Sequence, residues 1–430
     1  MLQSGSFATL RSLAGRALRR LTRRWRPSPR HDAEAWALAA ACTCSRADLR
    51  TRQQHPERVG VGPGAGWCNW YLPAFDHVGY GGIMTILRLA DHLHRRAGLR
   101  QRFLICGATR TDAMAARITA AFPGLRDAPV LGIDPRADEP AVQPADYSFS
   151  TLWTTAYVLL KVRNTALKFS LIQDWEPLFY PAGSTSAQAE LTYDFGFLGV
   201  ANSISLRRLY EERHGGVATH FDPQIDPAIF FGAPARGPDG PRRLFVYARP
   251  KTPRNGFELA GVALHALKRR LGPRIDVVAA GAAWNPRDYG LTGVVRNLGL
   301  LEYAQTAALY RSCHVGLAMM MTRHPSYLPL ELMACGALVV SNENPSTRWL
   351  LQDDVNCLLA PATAPAITER LAEAIERYDD FEEVRRRGHT LVHERHADWD
   401  GAFDGVWRFM REASTRVDSG RRQPGSNDGS

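Results

Sequence analysis

Three loops in this 430-residue chain carry residue types that bind charged ligands, and one of them is the most informative. Residues 320–340 have the pattern of a strand, a loop, a short helix, a glycine and a second strand. Glu331 falls in the first turn of that helix, where a carboxylate can accept hydrogen bonds from ribose hydroxyls. The pattern predicts a nucleotide site. The alternative is that Glu331 only stabilises the helix start through the helix dipole.

The second loop is cationic, with Arg249, Lys251 and Arg254 between a predicted strand and a predicted helix. Two or three cations beside a helix N-terminus suit a diphosphate, because its charge must be neutralised both in binding and on departure. Ligands of parallel α/β sheets bind at the carboxyl ends of strands. We therefore predict a diphosphate clamp here, with a solvated loop of charges as the alternative.

The third loop contains Gly79, Gly81 and Gly82, again between a strand and a helix. Glycines let a backbone approach a ligand closely, and a helix N-terminus offers free N–H groups to an anion. A tight strand-to-helix turn without a ligand explains the same glycines equally well.

Two acids, Asp174 and Glu176, follow a predicted strand in the first half of the chain. Carboxylates there could position or deprotonate a substrate hydroxyl, or stabilise positive charge that develops on a sugar. We predict them as the catalytic residues, with stabilisation of the loop as the alternative. Asp76 and His77, just before the glycine loop, are weaker candidates for the same site.

Alternating apolar strands and amphipathic helices carry these loops from residue 66 onward, which is typical of parallel sheets covered by helices. The strands predicted in the first half are 67–75, 102–106, 147–150, 168–173, 196–201 and 218–221. Those predicted in the second half are 244–247, 275–280, 293–297, 315–320, 338–341 and 356–359. The predicted fold is α/β, with two Rossmann-like domains that face each other across a cleft.

The domain boundaries follow from composition. Residues 222–240 are rich in proline and glycine and connect the two domains. The predicted organisation is a basic arm and linker (1–62), a first domain (63–225), a second domain (226–398), a C-terminal helix that returns to the first domain (399–413) and a disordered tail (414–430).

The formal charge of +10 is concentrated in the arm, because residues 1–30 hold eight arginines and no acid. Removing these eight from the 53 lysines and arginines leaves 45 basic residues against 43 acidic ones. A body so close to neutral has no charge-based reason to bind phosphate backbones, so nucleic acid is excluded as a partner.

The cysteines and the lack of targeting segments indicate the cellular compartment of the protein. Seven cysteines without a C-x-x-C pair or a Cys/His ligand spacing are typical of thiols in a reducing compartment. No apolar run reaches the ~18–20 residues of a membrane span, and the N-terminus lacks the pattern of a secretory signal. We therefore expect a cytoplasmic protein.

The arm has an amphipathic pattern. The apolar residues that share one helical face are Phe7, Leu10, Ala14, Ala17, Leu18, Leu21 and Trp25. Arginines occupy the opposite face, as in helices that lie in the surface of an anionic membrane. Residues 1–30 are thus predicted to hold the protein at the inner face of the plasma membrane. The alternatives are a disordered basic tail, a helix docked on the body, or an organellar transit peptide.

Several of these segments together match a known pattern. The segment Leu328-Pro-Leu-Glu331-Leu-Met-Ala-Cys-Gly336-Ala-Leu-Val-Val resembles the donor-site signature of family 4 glycosyltransferases of the GT-B fold. Within it, His324-Pro-Ser-Tyr-Leu-Pro-Leu-Glu331 is similar to the bacterial rhamnosyltransferases that build S-layer and O-antigen-type glycans. Residues 173–181 and 247–255, and the run Tyr80-Gly-Gly82-Ile, resemble the same subgroup. The resemblance covers roughly residues 67–407.

The resemblance implies a role for each matching position. The implied donor-binding residues are Gly81, Gly82, Arg249, Arg254, His324, Ser326, Tyr327, Leu328 and Glu331. The glycines would face the donor diphosphate, the arginines would clamp it, and residues 324–328 would offer backbone N–H groups. The glutamate would hold the ribose. Arg323 stands where the wider family has a first glutamate, which often touches the transferred sugar. Likeness to the subgroup therefore favours a 6-deoxy donor sugar such as L-rhamnose over common hexoses.

The implied reaction moves a sugar from a nucleoside diphosphate donor to a glycan or lipid-linked glycan acceptor, with retention in most members of the family. Two arginines and helix N-termini supply the positive charge, so no metal or other cofactor is expected. The alternatives are a sugar-nucleotide epimerase, a phosphorylase of similar fold, and a non-catalytic protein that binds nucleotide sugars. A phosphorylase would need a lysine for pyridoxal phosphate, and only Lys251 and Lys268 lie in the second domain.

Overall fold

The computed structural model describes residues 29–51, 66–79, 81–232 and 240–421. The predicted membrane helix of the arm (residues 1–28), Tyr80 of the glycine loop, residues 233–239 of the predicted interdomain connection and the last nine residues of the predicted tail lie outside this description. No helix within the described ranges is long and apolar enough to cross a membrane.

The first domain is built on a parallel sheet of seven strands in the order β3-β2-β1-β4-β5-β6-β7. Its strands are β1 Trp67–Pro73, β2 Arg100–Cys106, β3 Val130–Ile133, β4 Ala145–Ser150, β5 Thr165–Ile172, β6 Leu198–Ala201 and β7 Ala218–His220. The inner residues of β1 and β2 are buried without alternation, as expected when helices cover both faces of a sheet. Stacked rings of Trp70, Phe149 and Phe169 cross three strands, with centroids 4.4 and 4.8 Å apart.

The second domain repeats this architecture with six parallel strands in the order β10-β9-β8-β11-β12-β13. They are β8 Arg242–Tyr247, β9 Ile275–Ala280, β10 Arg296–Asn297, β11 Val315–Leu317, β12 Leu338–Asn342 and β13 Leu358–Ala360. In both sheets the strand order reverses beside the first strand, which is the Rossmann arrangement. The predicted α/β fold with two such domains is confirmed.

Helices cover both sheets. In chain order they are α1 Pro29–Ala41, α2 Arg46–Thr51, α3 Gly81–Ala97, α4 Asp112–Ala121, α5 Trp153–Lys161, α6 Ser184–Leu191, α7 Ile204–His214, α8 Phe257–Leu271, α9 Tyr303–Arg311, α10 Leu328–Ala334, α11 Ala364–Glu376, α12 Glu382–Arg395 and α13 Trp399–Arg421. Helix α10 packs very closely on β11, because a Cβ added at Gly316 would lie 2.5 Å from the Leu332 side chain. The Leu332 side chain therefore packs directly against the backbone of β11 at Gly316.

The last helix, α13, crosses back to the first domain. Phe403, Val406 and Met410 join the apolar core of the first sheet. His92 of α3 is buried against it, with Nδ1 2.9 Å from Asp400 Oδ1. The helix continues to Arg421, so the prediction of a disordered tail from residue 414 is wrong for residues 414–421. Once the packed turns have formed, each further residue adds a backbone hydrogen bond even where the sequence is polar.

Candidate functional site

A cavity of about 400 Å³ opens between the two domains, at the carboxyl ends of β1, β8 and β11. This is the point at which the strand order of each sheet reverses, where open α/β sheets bind ligands. All eleven residues named from the sequence for catalysis or donor binding line this cavity: Gly81, Gly82, Asp174, Glu176, Arg249, Arg254, His324, Ser326, Tyr327, Leu328 and Glu331. The structure therefore brings them together, from both domains, around one volume of ligand size.

Two arginines after β8 give the second-domain wall a positive charge. The Arg254 guanidinium lies 4.2 Å from the centroid of the Phe179 ring, and its Nε is 3.9 Å from Asp174 Oδ2. Arg249 Nη1 lies 3.4 Å from Tyr247 Oη. Lys251, the third cation of the predicted clamp, is exposed and does not line the cavity. Of the three cations in this loop, Arg249 and Arg254 therefore line the cavity and Lys251 does not.

Asp174 is a buried carboxylate that ties the first domain to the second. Its Oδ2 accepts a hydrogen bond of 2.9 Å from Thr322 Oγ1, and its Oδ1 accepts one from the Trp175 N–H. Burial raises the pKa of Asp174 to about 6, although Thr322 and Arg254 stabilise the ionised form. Because both oxygens are engaged, the geometry gives Asp174 a role in holding the loop after β11.

Glu176 is placed differently, at the N-terminus of helix α5. Its Oε2 accepts a 2.6 Å hydrogen bond from the Trp153 N–H. Burial, and then the charge of Asp174, raise the pKa of Glu176 to about 8. A carboxyl group with this pKa can exchange a proton with a substrate hydroxyl near neutral pH. Of the two predicted catalytic acids, Glu176 has the geometry better suited to proton transfer.

The loop between β11 and α10 has an unusual local conformation. Ser326 adopts a φ of +66°, which is costly for a residue with a side chain. The Ser326 N–H donates a 3.0 Å hydrogen bond to Nδ1 of buried His324. Nδ1 is thus the acceptor nitrogen, and burial lowers the pKa of His324 to about 3, so the ring is neutral. The Ser326 N–H is therefore bonded within the loop in this structure.

Glu331 lies one turn into this wall of the cavity, in helix α10. Burial raises its pKa to about 8, and the positive charge of Arg88 opposes that shift. Arg88 comes from α3 of the first domain; its Nη2 is 3.3 Å from Asp226 Oδ2, and its guanidinium lies 5.2 Å from the centroid of the Trp399 ring. Arg88 of the first domain therefore faces Glu331 of the second domain, the residue that is predicted to bind the ribose.

Sequence reasoning did not find Arg88, Gln173, Asn202 or Tyr303, although all four line the cavity. Arg88 lies on a helix whose neighbouring residues are apolar, where a single arginine is expected to point to solvent. Nothing in local spacing marks it as a residue of the cleft.

Two residues that the sequence analysis singled out, Arg323 and His77, lie outside the lining of the cavity. Arg323, at the position of the family's first glutamate, is exposed, and its Nη1 is 3.5 Å from Ser346 Oγ. His77 Nε2 is 3.4 Å from Glu302 Oε1 of the opposite domain. These side chains do not line the cavity.

Two Rossmann-like domains that face each other over a ligand-sized cavity define the GT-B fold, and solved structures confirm it. A TarM variant of S. aureus aligns with a TM-score of 0.63 at 6% identity, over 80% of this chain and 99% of that chain. HepE of Anabaena aligns with a TM-score of 0.62 at 14% identity, over 81% of this chain and 100% of that one. The sucrose-phosphate synthase of Thermosynechococcus elongatus aligns with a TM-score of 0.61 at 12% identity, over 82% of this chain and 100% of that chain.

Two sequence comparisons indicate which proteins of this fold the chain resembles. Residues 242–372 match the family described as WsaF, C-terminal domain. The O-antigen biosynthesis protein RfbC of Myxococcus xanthus is 44% identical over 349 residues. This match covers 80% of the present chain, and the chain spans only 27% of the length of that relative. The predicted resemblance to bacterial GT-B glycosyltransferases of the S-layer and O-antigen type is confirmed.

Proposed function

We propose that this chain transfers a sugar from a nucleoside diphosphate donor to a glycan acceptor. The observation that carries the proposal is the convergence of two arginines, Glu331 and two buried acids on one interdomain cavity. A diphosphate against Arg249 and Arg254 would place its ribose toward Glu331, on the second-domain wall. HepE and TarM were each solved with UDP, which supports a nucleotide in this position.

The acceptor lies against the first domain, beside Glu176. In the reaction a bond forms between an acceptor oxygen and the anomeric carbon of the donor, and the bond from that carbon to the diphosphate breaks. The acceptor proton passes to Glu176 or to the departing diphosphate. Arg249 and Arg254 stabilise the charge that develops on the diphosphate, so the proposed reaction uses no metal. We propose retention of the anomeric configuration on the family resemblance.

L-Rhamnose is our proposal for the transferred sugar. The subgroup resemblance supports it, and so does the orientation of Arg323, whose side chain turns to the surface instead of toward the cavity. A 6-deoxy sugar has a methyl group where a hexose has a hydroxymethyl group, so it requires one polar partner fewer in the site.

A thermal-shift screen of dTDP-, UDP- and GDP-sugars tests donor binding, followed by transfer assays with glycan and lipid-linked glycan acceptors. A donor at about 100 times its Kd stabilises the native state by about 2.7 kcal/mol. Transfer by wild type and loss of transfer with intact binding in Glu176→Gln would support the proposal. Binding with no turnover would indicate a nucleotide-sugar-binding protein, and conversion of the donor sugar without an acceptor would indicate an epimerase.

We also propose that residues 1–30 bind the anionic inner face of the plasma membrane, where a lipid-linked acceptor would lie. The arm supplies eight arginines. The Trp36 side chain on α1 is 78% exposed, and tryptophan favours membrane interfaces. Flotation with vesicles that contain phosphatidylglycerol tests this. A chain lacking residues 1–30 should lose binding, and equal flotation of both forms contradicts the proposal.

A further inference from the structure

The Tyr327 side chain crosses the cleft from the second domain to the first. Its backbone precedes helix α10, and its hydroxyl oxygen lies 2.7 Å from Thr85 Oγ1 and 2.6 Å from Asn202 Nδ2. Thr85 belongs to α3 and Asn202 follows β6, so both partners are in the first domain. The loop that carries the predicted donor ligands is thus bonded directly to the opposite wall.

The direction of these hydrogen bonds follows from the groups involved. Thr85 Oγ1 donates to the Gly81 carbonyl at 2.7 Å, so its oxygen is left to accept a proton from Tyr327. The Asn202 amide donates to the Tyr327 oxygen. Burial raises the pKa of Tyr327 to about 12, so its proton is present at neutral pH. A continuous chain of hydrogen bonds therefore runs from Asn202 through Tyr327 and Thr85 to the first turn of α3.

Close packing reinforces this link. A Cβ added at Gly81 would lie 3.3 Å from Cδ2 of the Tyr327 ring. The ring is therefore seated against the glycine that begins α3. A side chain at position 81 would press on the Tyr327 ring, so the ring and the start of α3 are closely packed.

The other end of the same loop is also bonded to the first domain. Thr322 Oγ1 donates to Asp174 at 2.9 Å, five residues before Tyr327. Between the two ends, His324 accepts from the Ser326 N–H and holds the left-handed turn. Residues 322–327 are thus fixed at both ends by side chains of the opposite domain, in the conformation that leads into α10.

We propose that Tyr327 is a positioning residue that couples closure of the two domains to the conformation of residues 322–327. The Glu331 N–H donates to the Tyr327 carbonyl at 3.0 Å, so a shift of Tyr327 displaces the turn that carries Glu331. Opening the cleft breaks the hydrogen-bond chain and releases the loop. The part of this inference that concerns a ligand rests on the proposed function, because a donor that contacts both walls would favour the closed state.

Hydrogen exchange tests the coupling without any ligand. Tyr327→Phe removes the hydroxyl, and Thr85→Val interrupts the chain on the other side of the cleft. Each variant is expected to speed amide exchange in residues 322–328 by about tenfold, as loss of a buried hydrogen-bonded hydroxyl implies. The double variant should exchange no faster than either single one, because both break the same chain. Thr85→Ser keeps the hydroxyl and should behave as wild type, as should Tyr289→Phe, a matched change at a tyrosine that is 48% exposed.

Donor affinity gives the second readout. The Kd of the nucleotide sugar that stabilises wild type most should rise by about tenfold in Tyr327→Phe and stay at the wild-type value in Thr85→Ser. A tyrosine with only a structural role would lower the melting temperature while loop exchange and Kd stayed at wild-type values, and that result overturns the inference. If wild type binds no nucleotide sugar, the proposed function fails, and exchange in residues 322–328 alone decides the role of Tyr327.

Discussion

The ionisation of Glu331 gives the sharpest test of the donor site. Burial raises its pKa to about 8, so the free protein holds it largely protonated at pH 7. The groups around it are Arg88, Tyr303, Tyr310 and Tyr327. Burial raises the pKa of each of these tyrosines, so they stay neutral, and the Arg88 charge favours the ionised carboxylate. A ribose whose two hydroxyls donate to Glu331 requires that carboxylate.

The pKa of Glu331 determines the sign and the size of the pH dependence of donor affinity. Below the pKa, donor binding must first remove a proton, so affinity falls about tenfold for each pH unit. With a pKa of about 8, lowering the pH from about 8.5 to about 6.5 should weaken binding by about 25-fold. A nucleotide sugar is the right ligand, because its diphosphate has no ionisation of its own in this range.

Calorimetric titration at several pH values is the assay. Glu331→Gln should bind about 10- to 150-fold more weakly than wild type at pH 8.5, because a charge-assisted hydrogen bond is lost, and its affinity should not fall toward pH 6.5. Glu369→Gln, an exposed change in the same domain, is the matched control and should follow wild type. Burial also raises the pKa of Glu176 to about 8, so Glu176→Gln measures the share of Glu176 in the slope. A flat wild-type profile, or the same slope in Glu331→Gln, would refute the assignment of Glu331 to the ribose.

Three further predictions concern the clamp and the packing around the cleft. Arg249→Ala should weaken donor binding by about 1.5–3 kcal/mol while Lys251→Ala, in the same loop but outside the cavity, leaves it unchanged; equal effects in calorimetry would contradict the clamp. Asp400 has its pKa lowered to about 2, chiefly by Arg95 and then by His92, so Asp400→Asn should cost less than about 1 kcal/mol at neutral pH. That difference should disappear as the pH falls from about 4 toward 2, which chemical denaturation at several pH values can follow. Gly316→Ala should lower the melting temperature and weaken donor binding together, since it lifts α10 from β11; a stable variant with normal affinity would contradict this.

The fold was predictable because a parallel sheet covered on both faces leaves long apolar runs in the sequence. The strand missed in the first domain, Val130–Ile133, is an edge strand whose residues are half-buried or exposed, so it carries no such run. The predicted strand at 315–320 was too long for a related reason. Residues 318–320 stay buried, but the Met320 N–H bonds to the Asn342 side chain instead of extending the sheet.

The site was predictable to the extent that strand ends converge. Arg249, Arg254 and Glu331 each follow a strand at the same edge of one sheet, so parallel topology alone brings them together. Contacts between domains carry no such signal. Tyr327 and Thr85 are 242 positions apart, and neither residue type nor spacing relates them. Arg88 was missed for the same reason, since its partner Asp226 lies 138 positions further along the chain.

The return of α13 makes the first lobe discontinuous along the chain. Its seven strands end at His220, yet Phe403, Val406 and Met410 complete its apolar core. The first domain therefore cannot complete its folding until almost the whole described sequence has left the ribosome. A fragment that stops before residue 399 would expose an apolar surface of this domain. A chimera between two proteins of this fold should take residues 399–413 from the same parent as the N-terminal half, because a junction only near residue 225 would pack the first sheet against a helix from the other parent.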